Sequence, residues 1–239
     1  MHKAQRLRWA LYNVFWSLYG RYAWDDQREP CCISDPPERV VELLQERGAA
    51  AGDQVLDAGC GTGNYAIALA RVGFRVLGVD FAAGMLARAQ VKVRSEPAER
   101  VSFRQADLNA PLDFSAGAFD HVISMSVLQA VADPALTLCA LHRVLKPGGT
   151  LVLSLPRQDA DLFTMPLLDL ARHRVRQLER RTPGKVLLVI LKSLGDRYGG
   201  TPRWTAAQAR QMASDAFLQR VSLEEGRQIL AIATGNYQV

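Results

Sequence analysis

Val55–Asp80 reads VLDAGCGTGNYAIALARVGFRVLGVD, and this stretch decides the fold. It opens on a short apolar run that ends in an acid, Val55-Leu56-Asp57. A glycine cluster follows at Gly59, Gly61 and Gly63. Ala66, Leu69 and Ala70 then recur at helical spacing. A second apolar run, Val76-Leu77-Gly78-Val79, ends in Asp80. Strand, tight loop, helix and strand in that order make the first βαβ unit of a nucleotide-binding sheet. Glycine lets the backbone turn tightly and lets a ligand approach with no Cβ in the way. The loop opens a helix N-terminus, whose free N–H groups favour a negative ligand group. Asp80 stands 21 residues after Gly59, where an acid at a strand end can accept from two ribose hydroxyls. A nucleoside with a small anionic tail fits such a site.

The glycine spacing narrows the choice. Dinucleotide enzymes use G-x-G-x-x-G, and here the third glycine comes one residue early. A phosphate loop needs a G-K-[ST] ending, which this loop lacks. The string D-A-G-C-G-T-G at Asp57–Gly63 resembles motif I of the class I S-adenosylmethionine (SAM) methyltransferases. The plain alternative, a structural glycine-rich turn, is countered by further matches in register. The resemblance implies cofactor contacts from Asp57, Gly59, Gly61, Gly63 and Asp80.

Phe81 through Ala89 resembles the family segment D-x-S-x-x-M-L-x-x-A. It implies that Phe81 packs on the adenine ring and Met85 closes the other side, although both also suit a plain core. Ala83 replaces the usual Ser, at the expense of a helix cap. Val101–Phe103 reads as a third strand leading to Gln105-Ala106-Asp107-Leu108. In the family an acid here accepts from the adenine amino group, which implies roles for Asp107 and Leu108. The alternative for Asp107 is a turn cap.

Phe119–Met125 resembles the fourth strand, F-D-x-V-x-S, whose carboxyl end lies at the sheet's switch point. Ser124 and Met125 would then face the methionine part of SAM. His121 sits mid-strand and reads as a packed or surface histidine rather than a base. Many small-molecule members follow with x-L-x-H-V, and Gln129 stands where that His is common. A glutamine orients a substrate by hydrogen bonds but takes no proton near neutral pH. Any general base comes from elsewhere, so no catalytic residue is assigned. Pro134–Val144 reads as a helix. The string R-V-L-K-P-G-G-x-L from Arg143 resembles the family's helix stop and tight turn before a fifth strand, Leu151–Leu155.

The flanks are less family-like. Residues 4–24 carry a helical apolar pattern with Trp9, Tyr12, Trp16, Tyr19 and Trp24 added. This reads as a helix packed on the core, with a lid or an interfacial membrane helix as the sharper alternatives. A Tyr just before the core often covers SAM in this superfamily, which makes Tyr19 and Tyr22 substrate-side candidates. Asp35 is placed to cap a helix starting at Pro36 or Pro37. Arg157–Arg203 reads as a helical cap inserted after strand five, with an apolar stretch, Val186–Leu191, far too short to span a bilayer. Thr205 caps a final helix to Ala216, and Phe217–Leu223 and Gln228–Ala233 form an antiparallel pair.

The chain of 239 residues is 49% hydrophobic and 22% charged, an ordinary globular balance. Cys31, Cys32, Cys60 and Cys139 form no C-x-x-C pair, which points to a reducing cytoplasm and no metal site. The net charge of +5 is uneven, since residues 172–210 hold ten Lys/Arg against two Asp/Glu. Such a face suits acidic small molecules, a phospholipid surface or RNA, or is simply solvated.

The expected fold is therefore α/β. It is a Rossmann-like mixed sheet of seven strands, strand seven antiparallel, with helices on both faces. The expected parts are a lid at 1–35, a cofactor core at 36–156, a cap at 157–204 and the closing core elements at 205–239. The expected activity is methyl transfer from SAM to a small, amphipathic or anionic acceptor, leaving S-adenosylhomocysteine. The chain resembles the ubiquinone- and menaquinone-biosynthesis-like, type 11 group. RNA methylation lacks a D/N-P-P-Y/F tetrad after strand four, where Ser124-Met125-Ser126-Val127 stands, so nucleic acid is disfavoured. A non-catalytic SAM-binding protein is the other alternative. Peripheral membrane contact and the oligomeric state stay open at this point.

Overall fold

A computed structural model describes residues 35–94, 99–157, 203–216, 218–225 and 229–235, together with the helical residues 14–16 and 18. Tyr19, Tyr22, Cys31, Cys32 and nearly all of the expected cap lie outside the described residues.

The elements in order are α1 Pro37–Glu46, β1 Gln54–Ala58, α2 Asn64–Arg71, β2 Arg75–Asp80, α3 Ala83–Arg94 and β3 Val101–Gln105. Then come β4 Phe119–Met125, one 3₁₀ turn at Leu128–Ala130, α4 Pro134–Val144, β5 Leu145–Leu155, α5 Ala206–Asp215, β6 Leu218–Glu225 and β7 Ile229–Gly235. The seven strands lie in the order β3-β2-β1-β4-β5-β7-β6. β1 pairs parallel with both β2 and β4, and that is the switch point. β7 runs antiparallel to both β5 and β6. This is the expected doubly wound α/β sheet.

Side chains alternate across each strand, so one sheet carries two apolar layers. Leu56 and Val122 join Leu138, Leu141 and Leu151 on the α4 and α5 side. Their chain neighbours Val55 and Ile123 join Val40, Leu44, Leu69 and Phe74 on the α1 and α2 side. Burial on both faces explains why the strands read as continuous apolar runs.

Two local expectations need correction. The residue preceding α1 is Pro36 with no side-chain cap, and Asp35 instead offers its backbone carbonyl to the Tyr65 hydroxyl at 2.6 Å. Pro37 has no N–H to satisfy, so the helix start demands less capping. The turn at Lys146–Gly149 lies inside β5, which already pairs at Leu145 with Phe119 before the register shifts. Gly148 takes a left-handed φ of 77°, and a Cβ on Gly149 would collide with the Asp120 carbonyl. The glycines thus make an irregularity within the strand rather than a loop before it. Thr205 does cap α5, through a capping box with Gln208.

Candidate cofactor site

Gly59 N–H and Cys60 N–H both donate to the Val79 carbonyl, at 2.7 and 2.9 Å, and this ties the start of the loop to the end of β2. A Cβ on Gly59 would run into Val127, and one on Gly63 into Phe103. Gly61, at φ +53°, is different: a Cβ there would meet none of the described residues within 4 Å. Two glycines are closed in by the fold and the middle one faces open space. Gly63 then precedes α2 in a left-handed conformation with no side-chain cap. Its first N–H groups therefore have no side-chain acceptor of that kind.

Two carboxylates flank this loop. Asp80 is 8% exposed; its Oδ2 accepts from Gly61 N–H at 2.9 Å and its Oδ1 from Ala82 N–H at 2.8 Å. Burial raises its pKa, and the N–H groups of Ala82, Gly61 and Phe81 oppose that rise. Asp57 is 1% exposed, and its Oδ2 is buried without a hydrogen-bond partner among the described residues. Burial first, and then the charge of Asp80, push its pKa up to about 8 against the backbone N–H of Ala66. Such an atom is expensive unless something joins it. The open cradle at Gly61 and the orphan oxygen of Asp57 both suit a polar ligand at this edge.

Beneath the loop lies a cation that the sequence reading passed over. Lys92, from the last turn of α3, is 5% exposed. Its Nζ donates to Thr62 Oγ1 at 2.7 Å and to Asn64 Oδ1 at 2.8 Å. Burial, and secondarily Arg88, lower its pKa to about 8.

The other expected residues divide. Phe81 is half-buried directly after Asp80, and Met85 is buried one turn into α3. Asp107 is exposed, and its Oδ1 accepts from both the N–H and Nδ2 of Asn109 at 2.9 and 2.7 Å. That is an Asx-turn, so one oxygen serves the local backbone. Leu108 is buried beneath it in the apolar layer of α4. Met125, at the end of β4, packs in the layer of α1 and α2. Ser124 does not open on the site as expected. It is fully buried and its hydroxyl donates to the Ala58 carbonyl at 2.9 Å, which ties β4 to β1.

The next residue but one is the unusual one. Ser126 sits at φ +58°, the one non-glycine residue of positive φ among those described, and its N–H donates to Ser154 Oγ at 2.7 Å. Strained backbone of this kind collects at functional sites. No sequence pattern announced it, since Ser carries no left-handed preference comparable to Gly or Asn. Gln129 follows in the 3₁₀ turn, half-buried, with Oε1 buried and accepting no hydrogen bond among the described residues. His121 is packed, as expected, near the opposite end of its strand.

The family model described as "Methyltransferase domain" matches residues 56–153. The chain belongs to the class I SAM-dependent methyltransferases, which take SAM as methyl donor. A ubiquinone biosynthesis O-methyltransferase of Methylococcus capsulatus is 31% identical over 167 residues, covering 69% of this chain and 70% of that protein. A second, from Pseudomonas aeruginosa, is 36% identical over 131 residues, covering 55% of this chain and only 56% of the relative. Magnesium protoporphyrin IX methyltransferase of Synechocystis, solved with bound S-adenosylhomocysteine, shares the fold at a TM-score of 0.56. It is 24% identical, and the match covers 83% of this chain and 81% of that one. These relatives side with a small-molecule acceptor over RNA. Among the described residues no helix is long and apolar enough to cross a membrane, and no group of His, Cys, Asp and Glu could hold a metal.

Proposed function

We propose that the chain methylates a hydroxyl oxygen of an amphipathic or anionic small molecule, with SAM held at the Gly61 edge of the sheet. The observation that carries this is the open position at Gly61 between two buried carboxylates, one with an unpartnered oxygen. The names of the relatives favour an oxygen acceptor. The basic run at 172–210 favours an acidic or amphipathic one.

SAM supplies a methyl group already activated by its positive sulfur. The residues of this chain bind, orient and exclude water. Asp80 accepts from the ribose hydroxyls while holding Gly61 in place. Phe81 and Met85 close on the adenine, and Asp107 offers its remaining oxygen to the exocyclic amine. Asp57 takes a hydrogen bond from the amino-acid tail. Leu108 and Met125 wall the pocket, while the loop end of α2 faces the tail's carboxylate. Gln129 Oε1 accepts a hydrogen bond from the acceptor hydroxyl and turns its oxygen toward the methyl carbon. The amide takes no proton, so the hydroxyl proton passes to solvent as the new C–O bond forms and the C–S bond breaks. Tyr19 and Tyr22 are the substrate-side candidates that the family resemblance offers, and the aromatic N-terminal sequence suits a lipid-like acceptor.

The test is incubation with methyl-labelled SAM and three acceptor sets: phenolic lipids, small carboxylates and phosphates, and tRNA. Label on the first or second set supports the proposal. Label on tRNA alone, or on nothing, overturns it.

A further inference from the structure

α3 starts beside Asp80 and runs away from the site, so a lysine in its last turn looks remote from cofactor chemistry. Helical side chains lean back toward their own N-terminus, and a lysine reaches far along that direction. One turn before Lys92, Ala89 already touches the loop, because a Cβ on Gly63 would sit 3.1 Å from the Ala89 Cβ. The ammonium of Lys92 therefore comes up underneath the glycine cluster. Two of its partners among the described residues are well separated in role. Thr62, 1% exposed, is part of the loop between Gly61 and Gly63, and Asn64 is the first residue of the helix the loop opens.

This is an expensive place for a cation. Burying an ammonium is unfavourable, and the start of α2 already carries the positive end of a helix dipole. For packing alone, an apolar side chain of the same length commonly serves as well or better than a buried charge. The charge acquires a purpose when a negative group arrives above the loop.

We propose that Lys92 is a positioning residue of the cofactor site: its ammonium joins Thr62 to Asn64, sets the loop in its ligand-ready shape and adds positive potential for the cofactor's carboxylate tail. This rests on the SAM-site reading above. Lys92 acts through the loop and does not touch the reacting atoms.

The experiment is calorimetric titration with S-adenosylhomocysteine, paired with thermal melting, on wild type, Lys92→Met, Lys92→Arg and Thr62→Val. Lys92→Met is expected to weaken binding by about tenfold or more. Its melting temperature should stay near the wild-type value or fall somewhat, because the buried charge is gone but Thr62 Oγ1 and Asn64 Oδ1 lose their donor, so the affinity of the folded fraction is the readout. Lys92→Arg should recover most of the affinity. Thr62→Val cuts the same link from the loop side, and reads the proposal where Lys92→Met does not fold. A merely structural lysine would lower the melting temperature and leave the affinity of the folded fraction unchanged. Wild type that binds, with Lys92→Met and Thr62→Val binding equally well, overturns the Lys92 proposal alone. Folded wild type that does not bind overturns the cofactor reading and this proposal together.

Discussion

The two ends of the parallel sheet use the same strands and opposite rules. At the amino end, charges meet partners. The His121 Nε2–H donates to Asp53 Oδ2 at 3.1 Å, and His121 Nδ1 accepts from Thr150 N–H at 3.3 Å. Asp120 accepts from Gln54 N–H at 2.9 Å and from Lys146 Nζ at 2.6 Å. At the carboxyl end, the charge of Asp80 adds to burial in opposing the ionisation of Asp57. One Asp57 oxygen there has no partner among the described residues, Ser126 is strained, and Lys92 is a buried cation under a helix start. The satisfied end holds the fold. The unsatisfied end is where stability has been given up for a ligand, the usual place for local rules to break.

The largest expected effect is on binding. Asp80→Asn keeps the shape but removes the charge that holds Gly61 and, in the proposed site, meets the ribose, so cofactor affinity should fall by about 100-fold. Titration with S-adenosylhomocysteine reads it. The mirror test lies at the amino end. His121→Ala leaves the Thr150 N–H and Asp53 without their partner and opens a small cavity. It should cost about 3 kcal/mol of stability with affinity unchanged, as read by denaturant unfolding and titration.

Asp57→Asn is next, with the opposite sign. Folded Asp57 holds its proton up to about pH 8, whereas the unfolded acid releases it near the ordinary value of 3.8. The folded state thus binds the proton more tightly, and this group's contribution falls as pH climbs from about 4 to about 8. At pH 7 the substitution should stabilise the cofactor-free protein by about 2 kcal/mol while weakening cofactor binding. Melting curves across that window should slope for wild type and lose that slope in the variant.

The smallest effect is at the half-exposed pair. Lys146→Met should cost less than about 1 kcal/mol. Burial works against ionisation of Asp120, but Lys146, the Gln54 N–H and His121 outweigh it and hold its pKa below the usual value. That contribution is present above about pH 4, the unfolded range, and fades as pH falls through the lowered folded value. Acid unfolding of the variant should begin at a slightly higher pH.

Much of the sheet was legible because its signals are local and repeated. β4 and α4 fall on the expected Phe119–Met125 and Pro134–Val144. A continuous apolar run sets the first, and an Asp-Pro start at Asp133 sets the second. The Val55–Asp80 unit resolved as read, because glycines and strand-end acids stand in fixed order. What escaped depends on which way a side chain faces. Ser124 looked like a site residue, but the pleat turns it inward onto Ala58. Lys92 drew no attention in the sequence, because basic residues in a last helical turn usually serve the dipole. Only the approach of α3 to the loop reveals its partners. Ser126 and the irregular start of β5 are backbone events set by tertiary pairing rather than by residue type. Asp107 shows the turn reading weighed for it, with Oδ1 accepting from Asn109.

The central claim is that the cofactor sits on the unsatisfied end of the sheet and that Asp80 is its anchor. The most direct test is one titration series with S-adenosylhomocysteine on wild type, Asp80→Asn and His121→Ala. The account predicts micromolar-order binding by wild type, about −8 kcal/mol. It predicts that Asp80→Asn loses this binding and that His121→Ala keeps it despite melting earlier. Folded wild type that does not bind, or Asp80→Asn that binds as wild type does, would contradict it.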